Sequence, residues 1–278
     1  MSIHAPTKAR PVRQAKAGGE KLARSKSFEW LSRAGFVARG VIYVLVGVLA
    51  LGLAFGDAGR NASQQGALRT IARQPFGEVL LILLAVGFAG YALWRLLHAV
   101  LGHGRERSDS RLDRFAALLS GLMYAGLCAV TVEVLHGSRS AGNTHKTAAG
   151  VFSWPAGTWL VGAAGAVLVG VGVYQGYRGL SRDFLRDSKT EQMSARTRRW
   201  FEWIGIFGHL SRLVVSCLVG AFLIKAAVDF DPAKAVGLDG ALAKLAASSY
   251  GPFVLAVVAF GLIAFGVYSL CDARYRRI

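Results

Sequence analysis

The chain alternates long apolar runs with short charged stretches. Charge-free runs cover 40–56, 79–94, 115–132, 147–177 and 245–271, and a sixth, interrupted by charges, covers 203–228. The runs are continuous, where barrel strands would alternate every second residue, so the pattern predicts helices. Crossing a hydrocarbon core takes about 20 helical residues, fewer where end residues snorkel. Six membrane-spanning helices follow. Pro75, Pro155 and Pro252 stand at the entrances of the second, fourth and sixth, where proline costs a helix least.

The runs repeat. Shifted by 173 residues, "EWLSRAGFVARGVIYVLVG" at 29–47 meets "EWIGIFGHLSRLVVSCLVG", so that Glu29, Trp30, Gly35, Arg39 and Gly47 fall on Glu202, Trp203, Gly208, Arg212 and Gly220. A shift of 81 reaches "RLDRFAALLSGLMYAGLC", which matches Arg33, Gly40 and Tyr43 with Arg114, Gly121 and Tyr124. The even helices echo this. "YALWR" at 91–95 resembles "YQGYR" at 174–178, and "GALRTIARQPFG" at 66–77 resembles "GALAKLAASSYGP" at 240–252. The fold class read from the pattern is an all-α integral membrane bundle of three tandem two-helix hairpins. Two crossings per copy make the repeats parallel, which excludes an inverted repeat and implies pseudo-threefold symmetry about the membrane normal.

The triplicated hairpin, the Trp-x4-Gly-x3-Arg opening, the Gly-Ala-Leu…Pro-Phe-Gly connector and the "DARYRR" ending together resemble a bacterial membrane family, domain of unknown function 1206. The similarity runs over about residues 28–277, and it departs in the middle copy, where Ser120 stands in place of the arginine. The resemblance implies an integral cytoplasmic-membrane protein and brings no activity with it. The expected organisation is a basic cytoplasmic tail (1–27), hairpins at 28–104, 111–180 and 200–278, and a basic linker at 181–199.

Composition agrees: 53% of the 278 residues are hydrophobic, 18% are charged, and the mean hydropathy is +0.40. The net charge of +17 would suggest nucleic acid in a soluble protein, but its placement explains it otherwise. Of the lysines and arginines outside Arg212, 24 lie in the tail, the even-numbered connections and the C-terminal end, and eight lie in the other loops. The positive-inside rule then puts both termini in the cytoplasm. Lys8, Arg10, Arg13, Lys16, Lys21, Arg24 and Lys26 suit anionic headgroups, so the expected partner is the lipid bilayer and not nucleic acid. A protein partner or a second copy stays open. The basic first 27 residues raise a targeting peptide, yet the run after them is too long for a signal core, so the first helix is expected to remain uncleaved.

Arg39 and Arg212 abut the starts of their runs, near the cytoplasmic boundary, and are read as snorkelling to headgroups. Tyr43, one turn on, is placed to reach Arg39; Tyr124 is its counterpart in the middle copy. Subtracting the repeat shifts brings Glu133 and Lys225 to one position, that of Gly52, which predicts a pair across the bundle, with Asp229 as a competing partner of Lys225 four residues away. Positions 39 and 52 are about 220° apart around a helix, so the two groups face nearly opposite ways. Glycines such as Gly87, Gly90, Gly165, Gly176 and Gly266 predict close helix contacts. The six tryptophans cluster near span ends, as an aromatic belt would.

Catalytic signatures are absent: no phosphate-binding loop, nucleophile elbow or zinc-protease motif occurs. Cys128, Cys217 and Cys271 each fall in an apolar segment and predict neither a disulfide nor a redox site. His4, His103, His136 and His145 fall in the tail or loops, His98 near one, and only His209 inside a helix, so no cofactor and no metal site are expected. Two functional readings stand. The leading one is a structural or accessory membrane component that contacts anionic lipid or a partner protein. The alternative is a conduit or binding protein for a small solute, lipid or ion within the bundle.

Overall fold

The computed structural model describes residues 26–57, 62–101, 111–137 and 150–276. The polybasic stretch ahead of Lys26 lies outside the described residues, as do His4, His103 and His145. The helices are α1 (Lys26–Ala54), α2 (Gln64–Ala72), α3 (Gly77–Leu101), α4 (Arg111–Leu135), α5 (Gly157–Leu180), α6 (Ala195–Val228), α7 (Leu238–Ala246) and α8 (Gly251–Tyr275). Six of them, α1, α3, α4, α5, α6 and α8, are long and apolar enough to cross a membrane. Among the described residues the only β pairing is an isolated bridge, Ser188 to Arg276. The fold is all-helical.

The interrupted run becomes one continuous helix. α6 has 34 residues, about 51 Å, because Ser194 caps its first turn by accepting from the Thr197 amide at 3.2 Å and no proline or glycine pair breaks it before Asp229. The odd-numbered spans α1, α4 and α6 begin at one end of the bundle, and α3, α5 and α8 finish there; this is the basic end. α2 and α7, the short helices of the echoed "GAL" connectors, lie toward the other end. Each buries its apolar face, Ala67, Leu68 and Ile71 in α2, Ala241 and Leu242 in α7.

At that other end the three copies are built alike. The amides of Gln74, Trp154 and Ser248 donate to the carbonyls of Ile71, Val151 and Leu245 at 2.9, 3.0 and 3.1 Å, and the amides of Gly77, Gly157 and Gly251 then donate to Gln74, Trp154 and Ser248. A Cβ on any of these three glycines would stand 2.3 Å or less from the carbonyl oxygen six residues upstream. Only glycine fits the turn.

The turn glycines fix the repeat register of the even helices. Fourteen residues on from each stand Tyr91, Val171 and Phe265. In the first copy α1 crosses α3 with Gly35 against Tyr91, where an added Cβ would come 2.5 Å from the tyrosine Cβ. In the third, α6 crosses α8 with Gly208 against Phe265, and a Cβ would come 2.7 Å from its Cα. The middle copy has Ala116 at the crossing position. A methyl group there forbids the same approach, and the backbones of α4 and α5 do not pack against each other.

Successive copies join closely: α3 packs on α4, α5 on α6, and α8 on α1. Gly165 and Gly220 meet face to face between α5 and α6, and Gly40 and Gly266 between α1 and α8. The neighbour order is therefore α5, α6, α8, α1, α3, α4, a ring left unclosed between α4 and α5. The linker does not hang free at the basic end. Phe184 is buried in a ring cluster with Phe201, Phe265 and Tyr268, and the Lys189 amide donates to the Tyr275 carbonyl at 2.7 Å. Arg33 of α1 caps α8 by donating to the carbonyls of Ala273 and Arg274 at 2.6 and 2.7 Å.

Candidate functional site

The unclosed ring holds a cavity of about 810 Å³, lined from all six long helices and from the linker. Its two faces differ in chemistry. Toward the gap stand Leu119 and Met123 of α4 and Val167, Leu168 and Val171 of α5, an apolar rim in which Met123 and Val167 are exposed. Toward the basic end the lining carries six arginines (39, 95, 178, 186, 212 and 276) and four aspartates (113, 183, 187 and 272), a surplus of positive charge. The gap is bridged at that end by a short hydrogen bond in which the Tyr174 hydroxyl donates to Asp113.

Most of the charge is spent on the protein itself. Asp272, fully buried, accepts from Ser188 Oγ at 2.9 Å and from Arg276 at 3.2 Å, and lies 3.7 Å from the Arg39 guanidinium. Arg276 reaches on to Asp187 at 3.2 Å, and Asp187 binds Arg178 at 2.6 Å. The chain Arg39, Asp272, Arg276, Asp187, Arg178 thus ties α1, α8, the linker and α5 together. Burial works against the charge on Arg276, but Asp272 and Asp187 beside it more than compensate and raise its pKa above the ordinary value.

Arg39 completes its shell by donating to Ser269 Oγ and to the Tyr91 hydroxyl, at 2.7 and 2.6 Å. Its repeat counterpart Arg212 has no such partner: among the described residues its guanidinium forms no hydrogen bond or ion pair, and rests on the rings of Phe265 and Tyr43 at 4.3 and 5.1 Å. Arg39 lies 5.2 Å from the same Phe265 ring, so the two repeat-equivalent charges flank one aromatic side chain. Ser120, third of that set, lines the cavity with them. Among the described residues no group of histidine, cysteine and carboxylate side chains is arranged to hold a metal.

Three stretches of the chain, 34–102, 115–182 and 207–276, each match the family described as a domain of unknown function, DUF1206. The chain belongs to the DUF1206 family. It is also similar to the uncharacterized protein YxxB of Bacillus subtilis (strain 168), 33% identical over 251 residues that cover 88% of this chain and 90% of the relative. No solved structure matches it. The three matched stretches are the three hairpins of the DUF1206 bundle, and their shared feature is the ring around the cavity.

Against this geometry the residues singled out in the DUF1206 sequence divide into two groups. Arg39, Arg212, Tyr124 and Ser120 come together in the cavity lining. Arg39 does not snorkel: it is 6% exposed, because Asp272, Ser269 and Tyr91 hold it inward. Its expected partner, Tyr43, instead packs on Phe265 at 4.8 Å and lies beneath Arg212. Glu133 and Lys225 are both exposed and are not paired with each other, since α4 and α6 are not neighbours in the ring. Nor does Lys225 hold Asp229 in an ion pair. Lys234, in the turn after Asp229, donates to it at 2.9 Å, and that hydrogen bond draws the Asp229 carboxyl below its ordinary pKa. Trp94 is no belt residue, being 1% exposed against Phe36, while Trp30, Trp154, Trp159, Trp200 and Trp203 are exposed. His98 belongs to α3, its ring tilted against that of Trp94 at 4.5 Å.

Asp272 was hidden in the sequence by the basic ending around it. The signal that finds it is its spacing: it stands four residues before Arg276 at the end of an otherwise acid-free helix.

Proposed function

We propose that this DUF1206 protein is a multi-pass protein of the bacterial cytoplasmic membrane that holds a small amphiphile in its bundle, admitted from the lipid between α4 and α5. Both termini are assigned to the cytoplasm, which makes the basic end the inner one. The asymmetry of lysine and arginine, 24 against eight, supports that orientation. Fusing alkaline phosphatase or a fluorescent protein after residue 278 tests it: fluorescence without phosphatase activity is expected, and the reverse pattern would refute the assignment.

The observation that carries the binding reading is the unpacked middle hairpin. A bundle serving only as scaffold gains by closing its crossings, and two of the three crossings here are closed by glycine. The third leaves an apolar mouth on a cationic interior, which is the two-part chemistry of an amphiphile: an apolar body in the gap and a polar head on the arginines. The reading is of binding and not of catalysis, and it prefers the second of the two readings drawn from the sequence over a purely structural role. Ser120→Trp, which puts an indole into the cavity, tests it. Native mass spectrometry of protein extracted in mild detergent is expected to find lipid retained by the natural protein and lost from the variant; equal retention would sink the proposal.

A further inference from the structure

Resting on that reading of the cavity, we propose that it contains a phosphate subsite, formed by the guanidiniums of Arg212 and Arg95 and the hydroxyl of Tyr124, and that its occupant is an anionic phospholipid. The site emerges by subtraction. Of the six lining arginines, Arg39, Arg178 and Arg276 are ion-paired with Asp272 and Asp187, Arg276 keeping only its buried Nε without a partner, and Arg186 lies 3.5 Å from Asp183. Arg212 has no hydrogen-bond or ion-pair partner among the described residues, its guanidinium lying over the Phe265 and Tyr43 rings. Arg95 donates to the Tyr91 hydroxyl at 3.2 Å and otherwise rests on the Trp94 and Tyr91 rings.

Tyr124 supplies the second, independent observation. It is 3% exposed, lines the cavity, and its hydroxyl has no hydrogen-bond partner among the described residues. Buried hydroxyls are almost always bonded, because leaving one dry forfeits its hydration for nothing. Its ring lies 4.5 Å from that of Tyr91, on whose hydroxyl Arg95 and Arg39 converge. Gln175 Oε1, on α5 across the cavity, is likewise buried without a partner and lines the same space.

These groups set the ligand's chemistry. Donors arrive from three helices, α6, α3 and α4, and the two free oxygens of a phosphodiester splay from a tetrahedral centre and can be met from different directions, where a carboxylate is flat. The unbonded acceptor on Gln175 asks for a hydroxyl on the same headgroup. A glycerol phosphodiester has both, so phosphatidylglycerol is the probe, with its chains leaving through the rim of Leu119, Met123, Val167 and Val171.

The test uses the full chain in nanodiscs of phosphatidylcholine with a minor share of phosphatidylglycerol, read by native mass spectrometry. The natural protein is expected to retain phosphatidylglycerol preferentially, and Arg212→Gln to reduce that retention by about tenfold, the loss of one charge-assisted hydrogen bond. Tyr124→Phe is expected to lower retention and also to raise the thermal midpoint of protein delipidated in dodecyl maltoside, a detergent without phosphate, because it removes the dry hydroxyl; a merely structural tyrosine would lower it. Undiminished retention in Arg212→Gln, or a lowered midpoint in Tyr124→Phe, would overturn the subsite while leaving the cavity reading in place. Inorganic phosphate added to the delipidated protein in the same detergent distinguishes the source: stabilisation that needs Arg212, without preferential retention of phosphatidylglycerol in the discs, keeps the subsite, replaces the lipid by a soluble phosphate, and makes the lipid reading the part that fails.

Discussion

Replacing Asp272 by alanine is expected to destabilise the protein by about 3–5 kcal/mol, the cost of breaking a buried ion pair from one side. Asp272 is fully buried and, among the described residues, is the one carboxylate that touches both Arg39 and Arg276, themselves 6% exposed each. Its removal leaves two guanidiniums facing one another in a water-poor interior, with Asp187 alone to answer Arg276 and Arg178. It also frees Ser188, so the linker loses one of its ties to α8. Asp272→Asn keeps an acceptor for Ser188 but not the charge and should fall between. The thermal midpoint in detergent measures both; an unchanged midpoint for Asp272→Ala would mean that the network is not what holds the basic end.

The second large effect concerns the α5–α6 joint. Gly220→Ala places a methyl group 2.7 Å from the Gly165 carbonyl oxygen and 2.8 Å from a Val169 methyl, both on a helix that cannot yield without moving as a unit. Overpacking of this kind costs about 1–3 kcal/mol, more than the fraction of a kilocalorie by which alanine improves on glycine within a helix. Gly126→Ala is the matched control. It lies in a membrane-length helix too, but nothing stands within 4 Å of the added carbon, so a neutral or slightly raised midpoint is expected. If the two substitutions behaved alike, backbone contact at Gly220 would be refuted as the source of stability.

The helices, their number and their triplication were legible in the sequence because each is a local property, written in run length and in the spacing of identical residues. The site was legible only in part. Arg39, Ser120 and Arg212 stand at one repeat position, and that alone brought them to one height. Which face they turned inward, and which of them was neutralised, depended on Asp272 and Tyr91, residues on other helices that no local pattern connects to Arg39. The Glu133 and Lys225 pair failed for the same reason. Equal height on repeat-related helices does not make neighbours of α4 and α6 when α5 or α8 stands between. Ala116 was readable in principle, as the single copy without glycine at the crossing, but its meaning needed the Gly35 and Gly208 contacts to be seen.

The gap between α4 and α5 has a bearing on dosage. The cavity's mouth lies there, on the flank of the bundle, so a ligand in the proposed site would exchange with the surrounding bilayer. Occupancy would then follow the mole fraction of that lipid in the surrounding membrane. Under that proposal the protein would read the composition of its membrane, and its saturation would change when the bilayer is remodelled even while every aqueous concentration stays fixed.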